Sequence, residues 1–304
     1  MPCAFRPEGM SLGGMLYPFI EQAALYDFLV GHGLGNNLTT AWWKGGTTAA
    51  VIGNHKVSMN EEMRRAFGSV AIMKCPARRG SVAYVPGNLA AETYSRQGPQ
   101  TDYAFVIAIR NDTSFKSNDF PQSWLTITGE MVTANGGSSQ PAVNGPAMHA
   151  GPFRLTLRGT DDSYTLTPRD TFARITDGLS NQFFVGEKHI PEGLLGNCFG
   201  TNNSDRAHDC SYLTAFTNNT GAMGRAFHRL CGLPREWVAL ARGPQDRNDA
   251  SPETVRAGFG SWHPGIALFL MGDGAVRPFM VTTPVETILF PLSHVDDGAN
   301  VTLN

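Results

Sequence analysis

The chain has 304 residues and a mass of 32.8 kDa, which suffices for one large domain or two modest domains. Hydrophobic residues make up 41% of it and the formal net charge is -2, a composition that excludes a disordered chain. The near balance of 24 basic and 26 acidic residues predicts no nucleic-acid partner, and 34 glycines with 19 prolines disfavour a helical array.

Membrane insertion is not expected from the sequence. A membrane span needs about 20 consecutive apolar residues, and the longest apolar runs, such as 266–271, have only the length of a strand. The first residues lack the basic and then apolar pattern of a signal peptide, so we expect any export signal to have been removed or to lie upstream. Basic pairs such as Arg64-Arg65 and Arg78-Arg79 are expected on the solvated surface.

Two helices are predicted in the first third of the chain. Residues 16–30 carry apolar side chains at helical spacing, Pro18 suits the first turn, and the glycines of 31–35 end the helix. Residues 59–66 have acidic residues early and arginines late, which favours a second helix because these charges oppose the helix dipole.

The centre of the chain is strand-like. Alternating and β-branched residues predict strands within 103–110, 123–133 and 153–159. Residues 175–181 then predict a turn or short helix that leads into a buried strand over 182–185.

The last third of the chain predicts a long irregular region and a hairpin. Residues 190–257 are rich in Asn, Gly, Asp and Arg, and we interpret them as a loop-rich insertion. Strands over 266–270 and 275–281 are joined by a Gly-Asp-Gly turn, which is typical of a hairpin. Because the sequence contains no internal repeat, we expect a single domain over 1–304.

The sequence predicts no catalytic, cofactor or metal site. It contains no HExxH, P-loop, GxSxG or paired CxxC motif. His208-Asp209 beside Cys210 lacks a matching ligand set, and Asp296-Asp297-Gly298 lacks the alternating acids of a calcium loop. We therefore expect the protein not to be an enzyme.

The sequence is compatible with two covalent modifications, a disulfide bond and N-linked glycosylation. Cys198 and Cys210 flank a polar loop, and a disulfide between them would contribute ~3 kcal/mol in an oxidising compartment. Buried thiols are the alternative, and with five cysteines at least one must stay a thiol or pair between chains. Glycosylation on an exported surface is permitted by Asn-x-Ser/Thr triplets at Asn37, Asn111, Asn202, Asn218 and Asn300.

Four segments, in this order, resemble one large bacterial family. They are LYPFIEQAALYD at 16–27, the Cys75-Pro76 pair, ITDGLSNQFFVGEK at 175–188, and SWHPGIALFLMGDGAVRPF at 261–279. In the last segment His263 is followed by nine residues and then by Asp273-Gly274. The chain resembles the prepilin-like family with a C-terminal H-x9-DG motif, formerly a domain of unknown function.

This resemblance implies an exported, pilin-like protein of the type IV pilus and type II secretion kind. Its α+β fold would be an N-terminal helix packed on an antiparallel sheet with the loop-rich insertion. The motif residues are expected to be structural, and they are His263, Asp273, Gly274, Asp177, Gly178, Asn181 and Glu187. We expect His263 to hydrogen-bond to Asp273 or to turn backbone, and Glu187 to pair with an arginine or cap a turn.

One departure from the family concerns the N-terminus, where the long apolar helix of pilins is missing upstream of Leu16. Either processing or the numbering has removed that helix, or this branch of the family polymerises differently. For the latter case we interpret residues 1–15 as an N-terminal arm. Such an arm can add a strand to the open sheet edge of a neighbour, and a head-to-tail contact of this kind propagates a fibre.

The leading functional hypothesis is a structural subunit of an extracellular helical filament, formed by copies of the chain, on which covalent glycans are permitted but not required. One alternative is a minor pseudopilin of a type II secretion-like system. Another is a surface carbohydrate-binding protein, since tryptophans can stack on sugars. The tryptophans are Trp42, Trp43, Trp124, Trp237 and Trp262. The expected location is extracellular or at the cell surface.

Overall fold

The structure is a computed structural model that describes residues 12–31, 50–52, 55–57, 60–80, 82–85, 98–108, 151–153, 171–196, 209, 211–213, 228–230, 239–246, 258–299 and 301. The chain divides into two compact units. The sheet unit comprises Met1–Ala4, Ala104–Gly193 and His228–Asn304. The helical unit comprises Phe5–Tyr103 and Leu194–Phe227.

The helical unit contains three short α-helices and two small antiparallel sheets among its described residues. The helices are α1 (Leu12–Met15), α2 (Ala23–Gly31) and α3 (Glu61–Gly68), with 3-10 turns at Tyr17–Phe19 and Ala71–Met73. Strand β1 (Ala50–Ile52) pairs with β2 (His55–Val57), and β3 (Tyr84–Val85) pairs with β4 (Gly98–Pro99).

The predicted helix over residues 16–30 is wrong in its first part. The Tyr17 carbonyl accepts the N–H groups of both Ile20 and Gln22, which closes a tight turn rather than starting a regular helix. Glu21 follows with a φ of 61°, a left-handed conformation that interrupts the helical hydrogen bonds. The helix therefore starts only at Ala23.

The second predicted helix is confirmed and lies two residues further along, as α3. The Asn60 side chain accepts the Met63 N–H at 2.8 Å and so caps the N-terminus. Glu61 lies in the first turn and forms an ion pair with Arg65 in the last turn at 3.3 Å.

Aromatic side chains fill the interior of the helical unit around Tyr17. Its ring contacts Phe67 with a centroid separation of 6.0 Å, and its hydroxyl lies 2.7 Å from that of Tyr212. Burial raises the pKa of both tyrosines, because the charged phenolate would lose its hydration.

The sheet unit is built on a five-stranded sheet in the order β7-β5-β6-β8-β9. These strands are β5 (Tyr103–Ile107), β6 (Phe183–Glu187), β7 (His228–Leu230), β8 (Ile266–Met271) and β9 (Val276–Met280). Strand β8 is antiparallel to β6 and β9, whereas β5 and β7 are parallel. The predicted strands at 182–185, 266–270 and 275–281 are confirmed, as is the first part of 103–110.

One face of this sheet, the inner face, forms the apolar core of the sheet unit. Phe183 stacks on Phe269 at 4.2 Å, and the edge of Phe279 meets both rings. A π-helical turn at Val285–Leu289 runs directly into α4 (Phe290–Ser293), and both contribute buried leucines to this core. Residues 285–293 therefore pack on the inner face.

The α+β fold with an antiparallel sheet is confirmed, and β7 adds one parallel pair. The packing of the N-terminal helix on a sheet and the single domain over 1–304 stay predictions. Residues 190–257 are divided between the units, with 194–227 in the helical unit. The predicted strands at 123–133 and 153–159 lie outside the described residues, apart from Phe153.

Candidate interaction surface

The segment from His263 to Gly274 covers strand β8 and the turn that leads into β9 in the sheet unit. Asp273 accepts the Ala275 N–H with its carboxylate at 2.9 Å, and Gly274 has a φ of 88°. Only glycine adopts that conformation without a steric cost. The Met271 N–H donates to the Ala275 carbonyl at 2.8 Å and closes the turn. Asp273 and Gly274 thus shape the turn that sets the register of the hairpin.

His263 lies at the opposite end of β8 from the turn, so the expected contact with Asp273 is wrong. Strand β8 lies between them, and its six residues alone extend about 17 Å from the first to the last Cα at ~3.3 Å per interval. Its Nε2 lies 3.5 Å from a carboxylate oxygen of Glu187, which is 1% exposed. The other oxygen of Glu187 accepts the Leu268 N–H at 2.9 Å. Glu187 therefore joins β6 to β8 instead of pairing with an arginine.

The residues predicted from the ITDG segment hold the C-terminal part of the sheet unit. The Asp177 carboxylate accepts the backbone N–H groups of Asp297 at 2.8 Å and Gly298 at 3.1 Å. Gly178 has a φ of 92°, and the Asn181 side-chain amide donates to the Asp177 carbonyl at 3.2 Å. Asp177 thereby joins two segments that are 120 residues apart in sequence.

Three acidic residues meet at this junction. Partial burial, together with repulsion from Asp177 and Asp296, raises the pKa of the Asp297 carboxyl above its usual range. An N–H donated by Ala299 acts in the opposite direction, because it stabilises the carboxylate. The junction consequently makes the carboxyl of Asp297 a weaker acid than that of an exposed aspartate.

The second face of the β8–β9 hairpin carries only apolar side chains. Its members oppose each other in three pairs, and they are Ile266 with Met280, Leu268 with Pro278, and Leu270 with Val276. The β8 members are partly exposed, whereas Val276 and Met280 are 63% and 65% exposed. An antiparallel sheet with one face in water normally places polar residues at such positions. We call these six residues the hairpin face.

The same side of the sheet is covered further along, at β5 and β6. Phe105 meets Phe153 at 4.6 Å, and Phe153 meets Phe184 at 5.4 Å. Phe172 stacks on Phe184 at 6.3 Å and is 55% exposed. The hairpin face therefore lies beside an aromatic layer that already covers the neighbouring strands.

Strand β9 forms an edge of the described sheet, and Pro278 lies at its centre. The Val281 N–H donates to Gly265, and Ala275 accepts from Met271, so the odd-numbered residues of β9 point their backbone groups at β8. The even-numbered residues point theirs outward. Because proline has no N–H, the centre of this edge offers no donor to an additional strand.

The helical unit contains a buried ionic network that the sequence did not reveal. Arg79 donates to both oxygens of the Asp209 carboxylate, at 2.8 and 3.1 Å, and lies 2.7 Å from Asp102. Arg78 contacts the same Asp102 at 3.2 Å, and the Cys75 N–H donates to its second oxygen at 2.8 Å. The side chains of Arg78, Asp102 and Asp209 are 0% exposed.

The expectation that Arg78-Arg79 lies on the solvated surface is therefore wrong. The two carboxylates hold the pKa of Arg79 above its usual value, in spite of the opposing effect of burial. Burial and the nearby Arg79 charge lower the pKa of Lys74, which donates to the Gly68 carbonyl at 2.8 Å. The network fixes residues 71–80 against 98–103 and 209 within this unit.

Several predicted residues lie outside the described residues. They are Cys198 and Cys210 of the possible disulfide, all five predicted glycosylation sites, and Trp42, Trp43, Trp124 and Trp237. Trp262 is described, and its indole N–H donates to the Ile190 carbonyl at 2.9 Å. The indole nitrogen of Trp262 therefore already has a hydrogen-bond partner within the sheet unit.

The fold and this surface define an α+β protein with an exposed apolar sheet face. The chain belongs to the family described as "Protein of unknown function (DUF1559)", whose model matches residues 2–286. No curated protein and no solved structure shows a significant match to it. Among the described residues, no helix has the length and apolar character needed to cross a membrane.

Proposed function

We propose that this protein is a structural subunit of an extracellular helical filament, exported and assembled by association of its own copies. The hairpin face is the observation that carries this proposal. It presents three cross-strand pairs of apolar side chains without a charged member. Removing apolar surface from water contributes about 25 cal/mol of favourable free energy per Å², from which the entropic cost of association is subtracted.

The charge of the chain also supports self-association. A net charge of -2 over 304 residues gives only weak repulsion between copies. Membership of the DUF1559 family agrees with the resemblance of the four segments to prepilin-like proteins. The pilin-like character of the fold and the extracellular location belong to this proposal.

Electron microscopy of the isolated full-length protein, concentrated without added partners, tests the proposal directly. We expect regular filaments that mass spectrometry shows to consist of this chain. A monodisperse monomer at the highest attainable concentration contradicts a filament of this chain alone. Filaments from the native source in which this chain is a trace component would favour the minor pseudopilin instead.

The N-terminal arm requires a separate deletion test. Residues 12–15 form α1, and Leu12 is 1% exposed, so only residues 1–11 are removed. If the arm joins subunits, the truncated protein stays folded by circular dichroism and forms no filaments. Filaments of unchanged length and number would show that the arm does not join them.

A further inference from the structure

We propose that His263 and Glu187 form a binding site for Zn²⁺ or a similar divalent transition-metal cation within the sheet unit. Each residue offers one ligand atom, Nε2 of the imidazole and Oε1 of the carboxylate. The sequence predicts no metal site here, since the two residues lie in separate segments that the pairing of β6 with β8 brings together. The site is independent of the proposed filament, because it concerns a small cation and not a contact between copies.

The buried carboxylate of Glu187 is the first observation. This side chain is 1% exposed, and its Oε2 accepts the Leu268 N–H at 2.9 Å. Within the part of the chain that the structure describes, no hydrogen bond reaches the other oxygen, Oε1. A buried charge is costly unless it is paired and hydrogen-bonded. Because Oε1 faces Nε2 of His263, a cation held by both atoms supplies the partner that the carboxylate lacks.

The separation of the two ligand atoms is the second observation. Nε2 of His263 and Oε1 of Glu187 lie 3.5 Å apart, beyond the usual length of about 2.7–3.2 Å for an N–H···O hydrogen bond. Zinc bonds to histidine nitrogen and carboxylate oxygen at about 2.0–2.2 Å, so two of its ligands in tetrahedral geometry lie about 3.3–3.6 Å apart. The observed separation is therefore long for a direct hydrogen bond and suitable for a pair of zinc ligands.

Hydrogen bonds fix the position of both ligands before any cation binds. The Ser261 hydroxyl accepts the His263 N–H at 2.9 Å and donates to the Ile266 carbonyl at 2.6 Å, which holds the turn that precedes β8. Glu187 lies in β6, and the Leu268 N–H orients its carboxylate. Outer hydrogen bonds of this kind orient metal ligands and contribute to metal affinity.

The ligand atoms also determine the class of cation. A neutral imidazole nitrogen suits zinc, copper and nickel, whereas magnesium and calcium prefer oxygen ligands. The side chain of His263 is 32% exposed, so a cation can enter from solvent and keep water at its remaining coordination positions. We therefore expect this site to bind Zn²⁺ in preference to Mg²⁺.

The test uses full-length protein that has been freed of metal by chelation and is titrated with Zn²⁺ in a calorimeter. The site variants are His263→Gln and Glu187→Gln, which remove the ligand nitrogen and the ligand charge. The amide at position 187 keeps an oxygen that can accept the Leu268 N–H. Matched controls in the helical unit are His55→Gln in β2 and Glu62→Gln, which changes an exposed residue of α3.

We expect wild type and both controls to bind one equivalent of Zn²⁺ that each site variant lacks or binds at least tenfold more weakly. Zn²⁺ should also raise the melting temperature of wild type and the controls more than that of the site variants, because a ligand of the folded state stabilises it. Mg²⁺ at the same concentrations should leave these melting temperatures unchanged. Circular dichroism establishes that each variant is folded before it is titrated.

Zinc binding by both site variants that matches wild type in stoichiometry, and in affinity within twofold, overturns the proposal. A loss confined to one of two folded site variants overturns the assignment to both residues. If Glu187→Gln fails to fold, His263→Gln decides alone, since it changes a partly exposed side chain. Stabilisation by Mg²⁺ equal to that by Zn²⁺ contradicts a histidine ligand. Filaments are assayed separately, so a failure of the proposed function is distinguishable from a failure of this site.

Discussion

The two units stabilise their interiors by opposite means. In the sheet unit the inner face is an aromatic and aliphatic core around Phe183, Phe269 and Phe279. In the helical unit a buried network joins Arg78 and Arg79 to Asp102 and Asp209. Apolar packing depends on volume and shape, whereas a buried charge depends on its partners because water cannot replace them. The units should therefore respond differently to equally small substitutions.

The largest expected effect is that of Asp102→Asn. This change preserves the shape of the side chain and removes the charge that faces two buried arginines. Breaking a buried ion pair by removing one partner costs about 3–5 kcal/mol. Urea unfolding followed by circular dichroism measures the loss. The exposed Asp27→Asn in α2 is the control, and equal stability of the two variants would refute the ionic description of the helical unit.

Gly186→Ala tests the sheet unit through packing alone. An added Cβ would lie 2.6 Å from ring atoms of both Phe259 and Phe269, which are buried against each other. Overpacking of a core costs about 1–3 kcal/mol. Thermal unfolding of the variant should show this loss. An unchanged melting temperature would mean that the two aromatic rings shift to accommodate the added Cβ without a loss of stability.

Gly274→Ala separates backbone strain from packing in the same unit. An added Cβ meets no atom within 4 Å, so only the φ of 88° opposes the substitution. A left-handed conformation costs a non-glycine residue about 1–2 kcal/mol. Gly80→Ala, which likewise meets no atom within 4 Å, is the control for denaturant unfolding. Equal free energies of unfolding for the two variants would show that the turn backbone changes its conformation to accommodate alanine at position 274 without strain.

The smallest expected effect is a change in pH dependence caused by Asp297→Asn. Because the folded-state pKa of Asp297 is raised, the folded protein holds this proton more tightly than the unfolded chain. Its contribution to stability is therefore lost as the pH rises from the usual aspartate range through the raised pKa. The variant should show a smaller fall in melting temperature over that window. A parallel pH profile in wild type and variant would contradict this assignment.

Much of the sheet unit was predictable from local pattern. An apolar run of strand length indicated β8, and the Gly-Asp-Gly sequence indicated the turn that leads into β9, because both signals lie within a few neighbouring residues. The role of Glu187 was not predictable. Its partners, Leu268 and His263, lie about 80 residues away, and only strand pairing brings them together.

The helical unit was less accessible to sequence reasoning. Arg78-Arg79 has the composition of a surface pair, and nothing local distinguishes it from Arg64-Arg65, which lies on α3. Its carboxylate partners lie 23 and 130 residues away. A buried ion pair between such distant segments leaves no periodic signal. The interruption at Glu21 was missed because the apolar spacing on both sides of it is helical.

The sequence by itself determined the α+β class, the hairpin, helix α3 and the DUF1559 family to which the chain belongs, because each depends on the order of nearby residues. Tertiary structure alone decided which face of the hairpin is buried and which charges meet. Alternation shows that a strand has two faces, and only packing against other elements chooses the inner one. In this chain both faces of β8 are apolar, so the exposed hairpin face became visible only in the folded molecule.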